Sequence, residues 1–320
     1  MPRAPRLEFA GAIYHVWNRG NYRQNLFTTH RTGAAFERAL FEACTRFGWR
    51  LHAYVVMSNH YHLCLETPKP NLVAGMQWLQ SVFANRFNRF QKTPGHVFQG
   101  RYKALVVEPG PSLLRVVNYL HLNPVRAGLV SVQGLRQYRA SSFPQWFRRG
   151  RPAALTAERW LAEAGGLRPT PAGFRRYHQS LALAAEGNPR QRDELYREFC
   201  RGWHIGPAEA KRERLRSLLA KPGQLPVALR VDDETSAAVL LAKGLRLLGY
   251  QPADLGSGPK GAEWKVALGW WLRRQTGINN RWLGEHLHLG HRCSVSRLLH
   301  QPPTKTFQAL TRTLMLSCNA

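Results

Sequence analysis

Residues 53–63, AYVVMSNHYHL, hold the pattern that decides the fold of this chain. Residues 51–57 (LHAYVVM) are rich in β-branched and aromatic side chains and predict a strand. Ser58 and Asn59 form a short turn, and residues 61–65 continue as a second strand. A link this short joins neighbouring antiparallel strands, so the stretch predicts the centre of an antiparallel sheet.

The flanking sequence extends this sheet. Periodicity predicts further strands at residues 12–17 and 102–108, and helices at residues 32–47, 71–91 and 112–123. The order is β-α-β-β-α-β-α, whose first six elements form the split βαβ, ferredoxin-like arrangement with helices on one face of the sheet. We therefore predict an α+β fold in which the third helix is an addition.

The remaining chain is predicted to be all-α. Candidate helices lie at residues 155–163, 173–183, 193–203, 232–248 and 263–275. Changes in pattern suggest three parts: residues 1–130 as an αβ domain, residues 131–225 as a helical connecting region, and residues 226–320 as a helical C-terminal region.

Charge is the most informative feature of the composition. The chain carries 46 Lys and Arg against 19 Asp and Glu, a net charge of +27. The excess is spread along the sequence, with +15 on residues 1–150 and +12 on residues 151–320. This balance favours a polyanionic partner, most often nucleic acid. An Arg-rich genome or a ribosome-associated protein would give a similar composition.

Other global features point to a cytoplasmic protein. No apolar run reaches the roughly 18 residues of a membrane span, and the N-terminal residues lack a secretory signal pattern, so no membrane association is expected. Five scattered cysteines without a CxxC pair are typical of reduced thiols rather than of a zinc ribbon.

The pair His60 and His62 is the first candidate for chemistry. Residues i and i+2 of a strand point to the same face, so two imidazoles about 6–7 Å apart could converge on one divalent cation. Tyr61 between them would point into the core. Structural or surface histidines give the same pattern, so the pair alone leaves both interpretations open.

The predicted third helix supplies a second candidate. Tyr119 and Asn123 are four residues apart and lie on one face, beside the apolar stripe. Tyr119 could lean over the sheet with its hydroxyl exposed, or it could be an ordinary boundary aromatic. Ser112 is a candidate N-cap, and Pro124 is expected to end the helix.

Three blocks together resemble a known family: AYVVMSNHYHL at 53–63, VFQGRYKA at 97–104 and VNYLHLNPVRAGLV at 117–130. In this order and spacing they resemble the HUH single-tyrosine transposases, and most closely the REP-associated tyrosine transposases. The resemblance covers roughly residues 9–130, the whole αβ unit.

The resemblance implies a role for each matching residue. His60 and His62 would bind Mg²⁺ or Mn²⁺, Tyr119 would be the nucleophile, and Asn123 would fall where the family supplies an amide ligand. Phosphate contact, helix termination or ion pairing would suit three arginines in the basic blocks, namely Arg19, Arg101 and Arg126.

The implied function is cleavage and rejoining of single-stranded or hairpin DNA through a covalent 5′-phosphotyrosine, without a nucleotide cofactor. A cation beside the phosphate and a tyrosine nucleophile suit this chemistry. The alternatives are a rolling-circle-type nickase and a domesticated, sequence-specific DNA-binding regulator. An intact His60, His62 and Tyr119 argue against the regulator.

The C-terminal sequence contains a helix-turn-helix pattern. Residues 280–287 and 293–299 predict two short helices around a turn at 289–291, similar to the motif at the C-terminus of the replication initiator DnaA. Arg292 and Arg297 would then face DNA. A helical bundle for oligomerisation, for example in a homodimer, is the alternative interpretation.

Overall fold

A computed structural model describes residues 7–186, 198–200, 202–219, 234–276, 278–300 and 304–316. The chain divides into two compact units, residues 8–200 and a second unit made mainly of residues 201–320. The first unit therefore extends well past the αβ elements that the sequence predicts for residues 1–130.

The sheet of the first unit confirms the ferredoxin-like prediction. Its strands are β1 (Ala12–Arg19), β2 (Arg50–Val56), β3 (His60–Thr67) and β4 (Lys103–Val107). Their order is β2-β3-β1-β4, and every neighbouring pair is antiparallel. The strand β1 is central because both halves of the split βαβ pattern return to it.

Two helices cover one face of this sheet: α1 (His30–Phe47) and α2 (Leu72–Gln91). The first begins at Thr29, whose side chain and that of Thr32 form a capping box, and it ends at Gly48 in the left-handed conformation. Tyr61 points to this face as predicted and packs on Phe36, with ring centroids 4.5 Å apart.

The third helix, α3 (Pro111–Arg126), packs against β2, β3 and β4, and it brings Tyr119 to the sheet face that carries His62. Two sequence-based details were wrong. Gly110, not Ser112, precedes the helix, with Pro111 at its first position, where the missing N–H has no partner to lose. Pro124 does not end the helix, because the backbone N–H of Ala127 still donates to the carbonyl of Asn123.

Residues 131–186 complete the first unit. They form 3₁₀ turns at Gln133–Gln137 and Phe143–Phe147 and two helices, α4 (Glu158–Glu163) and α5 (Pro171–Glu186). Isolated bridges join Val55 to Ser141 and Leu51 to Leu155. Of the helix predicted at 193–203, the described part is a 3₁₀ turn at Glu198–Cys200, and residues 193–197 and 201 lie outside the described residues.

The second unit is helical, as predicted. It contains the two-residue strand β5 (His204–Ile205) and the helices α6 (Ala208–Leu219), α7 (Glu234–Leu248), α8 (Glu263–Thr276), α9 (Asn280–His286), α10 (Arg292–Leu299) and α11 (Lys305–Leu316). Trp271 and Leu268 of α8 are fully buried in its core. No helix in the described parts of either unit is long and apolar enough to cross a membrane.

Candidate active site

The histidine pair lies at the start of β3, on the sheet face opposite α1 and α2. His60 is half-buried, His62 is 4% exposed, and their ring centroids are 5.1 Å apart. The register places Arg19 opposite His60 and Trp17 opposite His62. Because directly paired residues share a face, β1 supplies the neighbours of both imidazoles.

The helix α3 carries Tyr119 onto this pair. The Tyr119 ring stands edge-on to the His62 ring at 5.4 Å and to the His15 ring at 5.7 Å. Asn123, one turn further on, is also buried. The structure thus brings together four residues that the sequence singled out in two separate blocks, which are His60, His62, Tyr119 and Asn123.

Tyr119 is more enclosed than its helical position suggests. The expectation of an exposed hydroxyl was wrong, since the residue is only 5% exposed. Its ring packs against Phe199 at 5.3 Å, and its hydroxyl lies 3.8 Å from Cys200 Sγ. Phe199 and Cys200, which enclose Tyr119, lie about 80 residues further along the sequence. No local sequence pattern around Tyr119 could predict this contact.

Electrostatics keep the two imidazoles neutral. Burial lowers the pKa of His60 to about 4, and the charge of Arg19 lowers it further. Burial also holds the pKa of His62 well below its usual range, with added repulsion from His15 and His60. A neutral imidazole is the form that binds a metal, so both side chains are available as ligands near neutral pH.

The Tyr119 phenol is protonated at neutral pH. Burial raises its pKa above the usual value, and Cys200 raises it further. Arg126, whose guanidinium lies 5.4 Å from the ring centroid, and Asn123 act in the opposite direction. A positive charge placed at the histidine pair would likewise favour the phenolate.

A divalent cation at this site would need the side-chain amide of Asn123 as a third ligand beside His60 and His62. Among the described residues, no group of three or more His, Cys, Asp or Glu side chains is arranged to hold a metal ion. Asn123 contributes a buried amide, whose oxygen is a hard donor of the kind that Mg²⁺ and Mn²⁺ prefer. Two neutral imidazoles and one amide oxygen include no charged ligand, so they would hold Mg²⁺ or Mn²⁺ only weakly.

The predicted arginines lie around this site. Arg19 is exposed at the end of β1, and its carbonyl accepts from the backbone N–H of Gln99 at 2.8 Å, which places the block containing Arg101 at the same edge. Arg126 lies over Tyr119. Trp17, which the sequence analysis missed, is half-buried and stacks near His62 at 6.3 Å.

The two short helices predicted at residues 280–287 and 293–299 are present in the second unit. The helices α9 and α10 are joined by a turn in which Gly290 has φ +87°, and Val295 is fully buried. Gly284 permits the close approach of the two helices, since a Cβ there would overlap the carbonyl oxygen of Gly290. Arg292 and Arg297 are exposed, as predicted.

Solved structures with similar folds include two transposases. One is a REP-associated tyrosine transposase bound to a REP hairpin, with 19% identity over 52% of this chain and 98% of that chain and a TM-score of 0.40. Another is described as a putative transposase from Deinococcus radiodurans R1, with 21% identity over 33% of this chain and 87% of that chain and a TM-score of 0.28. No curated protein matches this chain.

The family model described as "Transposase IS200 like" matches residues 9–123. That range begins just before β1 and ends at Asn123, so it contains the histidine pair and Tyr119. Over this αβ domain, about a third of its length, the chain is similar to the IS200-like transposases.

Proposed function

We propose that this chain cleaves and rejoins single-stranded or hairpin DNA through a covalent bond between Tyr119 and the 5′-phosphate. The observation that carries the proposal is the meeting of Tyr119 with His62, at 5.4 Å between ring centroids, on the sheet face that also carries His60, with Asn123 one turn along α3 from Tyr119. A nucleophile beside a cation-binding pair is the arrangement that phosphodiester transfer requires.

His60, His62 and Asn123 would hold the divalent cation, Mg²⁺ or Mn²⁺. When bound, the cation supplies charge neutralisation at the scissile phosphate and favours the phenolate. Arg19, Arg101 and Arg126 would contact the DNA backbone near the scissile phosphate. Arg19 acts on His60, Arg126 lies over Tyr119, and Arg101 follows the segment that pairs with Arg19.

The covalent step balances without an energy cofactor. The Tyr119 oxygen forms a bond to phosphorus while the bond from phosphorus to the 3′-oxygen breaks, and the proton lost by the phenol is matched by the one gained at the free 3′-hydroxyl. The tyrosyl ester retains the energy of the phosphodiester bond, so a 3′-hydroxyl can reverse the step and rejoin the strand.

The hairpin as a substrate class is supported by the bound REP hairpin of the similar REP-associated transposase and by the +27 charge of this chain. The second unit would help select the site through Arg292 and Arg297 of α10. Its motif resembles DNA-binding helix-turn-helix pairs, in which the second helix enters the major groove.

The test is a covalent-adduct assay. End-labelled single-stranded hairpins are incubated with the full chain and Mn²⁺, and the products are separated on a denaturing gel. Wild-type protein should give a labelled protein–DNA adduct, and Tyr119→Phe should give none while retaining DNA affinity, because only the phenolic oxygen is lost.

Tyr138→Phe is the matched control. Tyr138 is a half-buried tyrosine of the first unit, and its hydroxyl donates to the carbonyl of Val56. This variant should still form the adduct. An adduct in Tyr119→Phe, or its loss in Tyr138→Phe alone, would contradict the assignment of the nucleophile.

A further inference from the structure

His15 is a fully buried histidine that the proposed reaction does not use. Its Nδ1 lies 2.9 Å from the carbonyl oxygen of Phe199, and its Nε2 lies 2.9 Å from Nδ1 of His62. The rings of His15 and His62 are stacked with centroids 5.1 Å apart and 19° between planes. A chain of hydrogen bonds therefore runs from the Phe199 carbonyl through His15 to His62.

The positions of the protons in this hydrogen-bonded series follow from the Phe199 carbonyl. A carbonyl oxygen only accepts, so the bond to Phe199 places a proton on Nδ1 of His15. In the singly protonated ring the other nitrogen, Nε2, has the lone pair and accepts. Nδ1 of His62 must then be the donor, and the lone pair of His62 lies on Nε2.

A second, independent series of hydrogen bonds places the proton of His60 on Nδ1 as well. Nδ2 of Asn59 donates to the carbonyl of Arg23 at 3.3 Å, which turns Oδ1 of Asn59 toward His60. That oxygen lies 2.7 Å from Nδ1 of His60 and can only accept. His60 therefore also carries its proton on Nδ1 and its lone pair on Nε2.

We infer that His15 and Asn59 are positioning residues that hold His62 and His60 as Nδ1–H tautomers, so that both Nε2 lone pairs are available to one cation. This inference rests on the proposed function of the histidine pair. The hydrogen bond at one ring nitrogen decides which nitrogen of a histidine is left to bind a metal, and partners of this kind also fix the orientation of the ring.

The inference extends the site beyond the residues that match the family model. Phe199 lies outside 9–123, yet its carbonyl begins the chain that ends at His62. Its ring also packs on Tyr119, and Arg115 lies 5.4 Å from the same ring centroid. The segment Glu198–Cys200 lies outside the matched domain. Through Phe199 it contacts both His15, which bonds to His62, and Tyr119.

The test reads the tautomers directly, in the full chain without metal or DNA. Long-range ¹H–¹⁵N spectra of protein labelled at histidine distinguish a ring nitrogen that bears a proton from one that bears a lone pair. Wild-type protein should show protons on Nδ1 of His60 and His62. His15→Phe should lose this preference at His62 alone, and Asn59→Ala should lose it at His60 alone.

Mn²⁺ binding to the same proteins gives the second readout. Loss of a hydrogen-bonding partner behind a metal-binding histidine typically costs about 10–100-fold in affinity, so His15→Phe and Asn59→Ala should each weaken Mn²⁺ binding by that factor. His15→Gln should stay within about threefold of wild type, well below that loss, because its amide can donate to Phe199 and accept from His62.

His52→Phe is the matched control for removing a buried imidazole. His52 lies at the bulge of β2, near Thr156 and Glu66, and should leave Mn²⁺ binding unchanged. If His15→Phe fails to fold, His15→Gln and Asn59→Ala still decide the matter. Unchanged tautomers and unchanged Mn²⁺ affinity in Asn59→Ala, or lost affinity in His15→Gln with its tautomers intact, would overturn the inference.

The two proposals fail differently. If the wild-type protein shows the expected tautomers but binds no Mn²⁺ and forms no adduct, the proposed function is wrong. If it forms the adduct but carries its imidazole protons on Nε2, the proposed function stands and the role of His15 and Asn59 is wrong.

Discussion

The two units of this protein assemble their candidate sites in opposite ways. The site of the first unit draws on residues far apart in sequence, from His15 on β1 to Phe199 beyond α5. The two short helices proposed to bind DNA in the second unit lie within residues 279–300, and their caps and close glycine contact are local. The first site is therefore sensitive to long-range packing, and the second to short-range backbone geometry.

Removal of either proposed metal-binding histidine should have the largest effect on cleavage. His60→Ala and His62→Ala should each reduce Mn²⁺-dependent cleavage by more than about 100-fold, beyond the 10–100-fold typical of a residue one shell further out. The loss of half-buried His60 should leave the fold intact, whereas His62 is buried and hydrogen-bonded to His15, so His62→Ala should also lower stability.

Cleavage of a labelled hairpin, with circular dichroism to check folding, measures this effect. His52→Phe serves again as the control with normal cleavage. Full activity of wild-type protein in EDTA would show that no divalent cation is needed.

Adding one methyl group at Gly284 should lower the stability of the second unit and leave that of the first unit unchanged. Gly284→Ala puts a Cβ against the carbonyl of Gly290, and such overpacking costs about 1–3 kcal/mol. Hydrogen–deuterium exchange should therefore speed up in α9 and α10 and stay unchanged in β1 and β3.

Gly33→Ala is the matched change in the first unit. This glycine lies inside α1 with no atom within 4 Å of an added Cβ, so alanine should stabilise the helix by up to about 1 kcal/mol. Equal exchange rates in α9 and α10 for wild type and Gly284→Ala would show that the contact between the two helices is not tight.

Glu37 should make the stability of the first unit depend on pH. Burial raises the pKa of this carboxyl from 4.5 to about 7, although the Tyr54 hydroxyl donates to it at 3.1 Å. The folded state therefore holds the proton more tightly than the unfolded state, and stability falls as pH rises from about 4.5 through 7.

Chemical unfolding of Glu37→Gln should remove this dependence. The variant should gain on the order of 2 kcal/mol over wild type at pH 8 relative to pH 4, less than the full shift implies because the carboxyl is partly solvated. A wild-type stability that rises across this range would contradict the prediction, since the proton would then be held more tightly in the unfolded state.

The smallest effects should come from the exposed arginines of α10. Arg292→Gln and Arg297→Gln should each weaken DNA binding and reduce the slope of log affinity against log salt by about one unit, if each contacts one phosphate. Arg281→Gln on α9 is the control, because Arg281 already pairs with Glu285 at 2.9 Å.

Cleavage of a short hairpin at saturating protein should be unaffected in these α10 variants. If instead they bind normally but fail to dimerise in gel filtration, the second unit is an oligomerisation bundle. An unchanged salt slope together with unchanged oligomeric state would remove α10 from DNA recognition.

The sequence by itself determined the strand and helix order of the αβ unit, the face shared by His60 and His62, and the pairing of Tyr119 with Asn123 along one helix. These features depend on periods of two and of 3.6 residues, which are fixed by the local backbone. The two helices around Gly290 were predictable for the same reason. The helix was predicted to end at Pro124, and this was wrong. Proline removes one backbone N–H, but the N–H of Ala127 still donates to the carbonyl of Asn123.

Only the tertiary structure decided which of these side chains meet and what surrounds them. The register of β1 against β3 puts His15 and Trp17 beside His62, and tertiary packing brings Phe199 and Cys200 over Tyr119. These contacts determine the burial, the protonation and the hydrogen bonds of the site. They join segments 47 to 184 residues apart, and no local periodicity carries information over that distance.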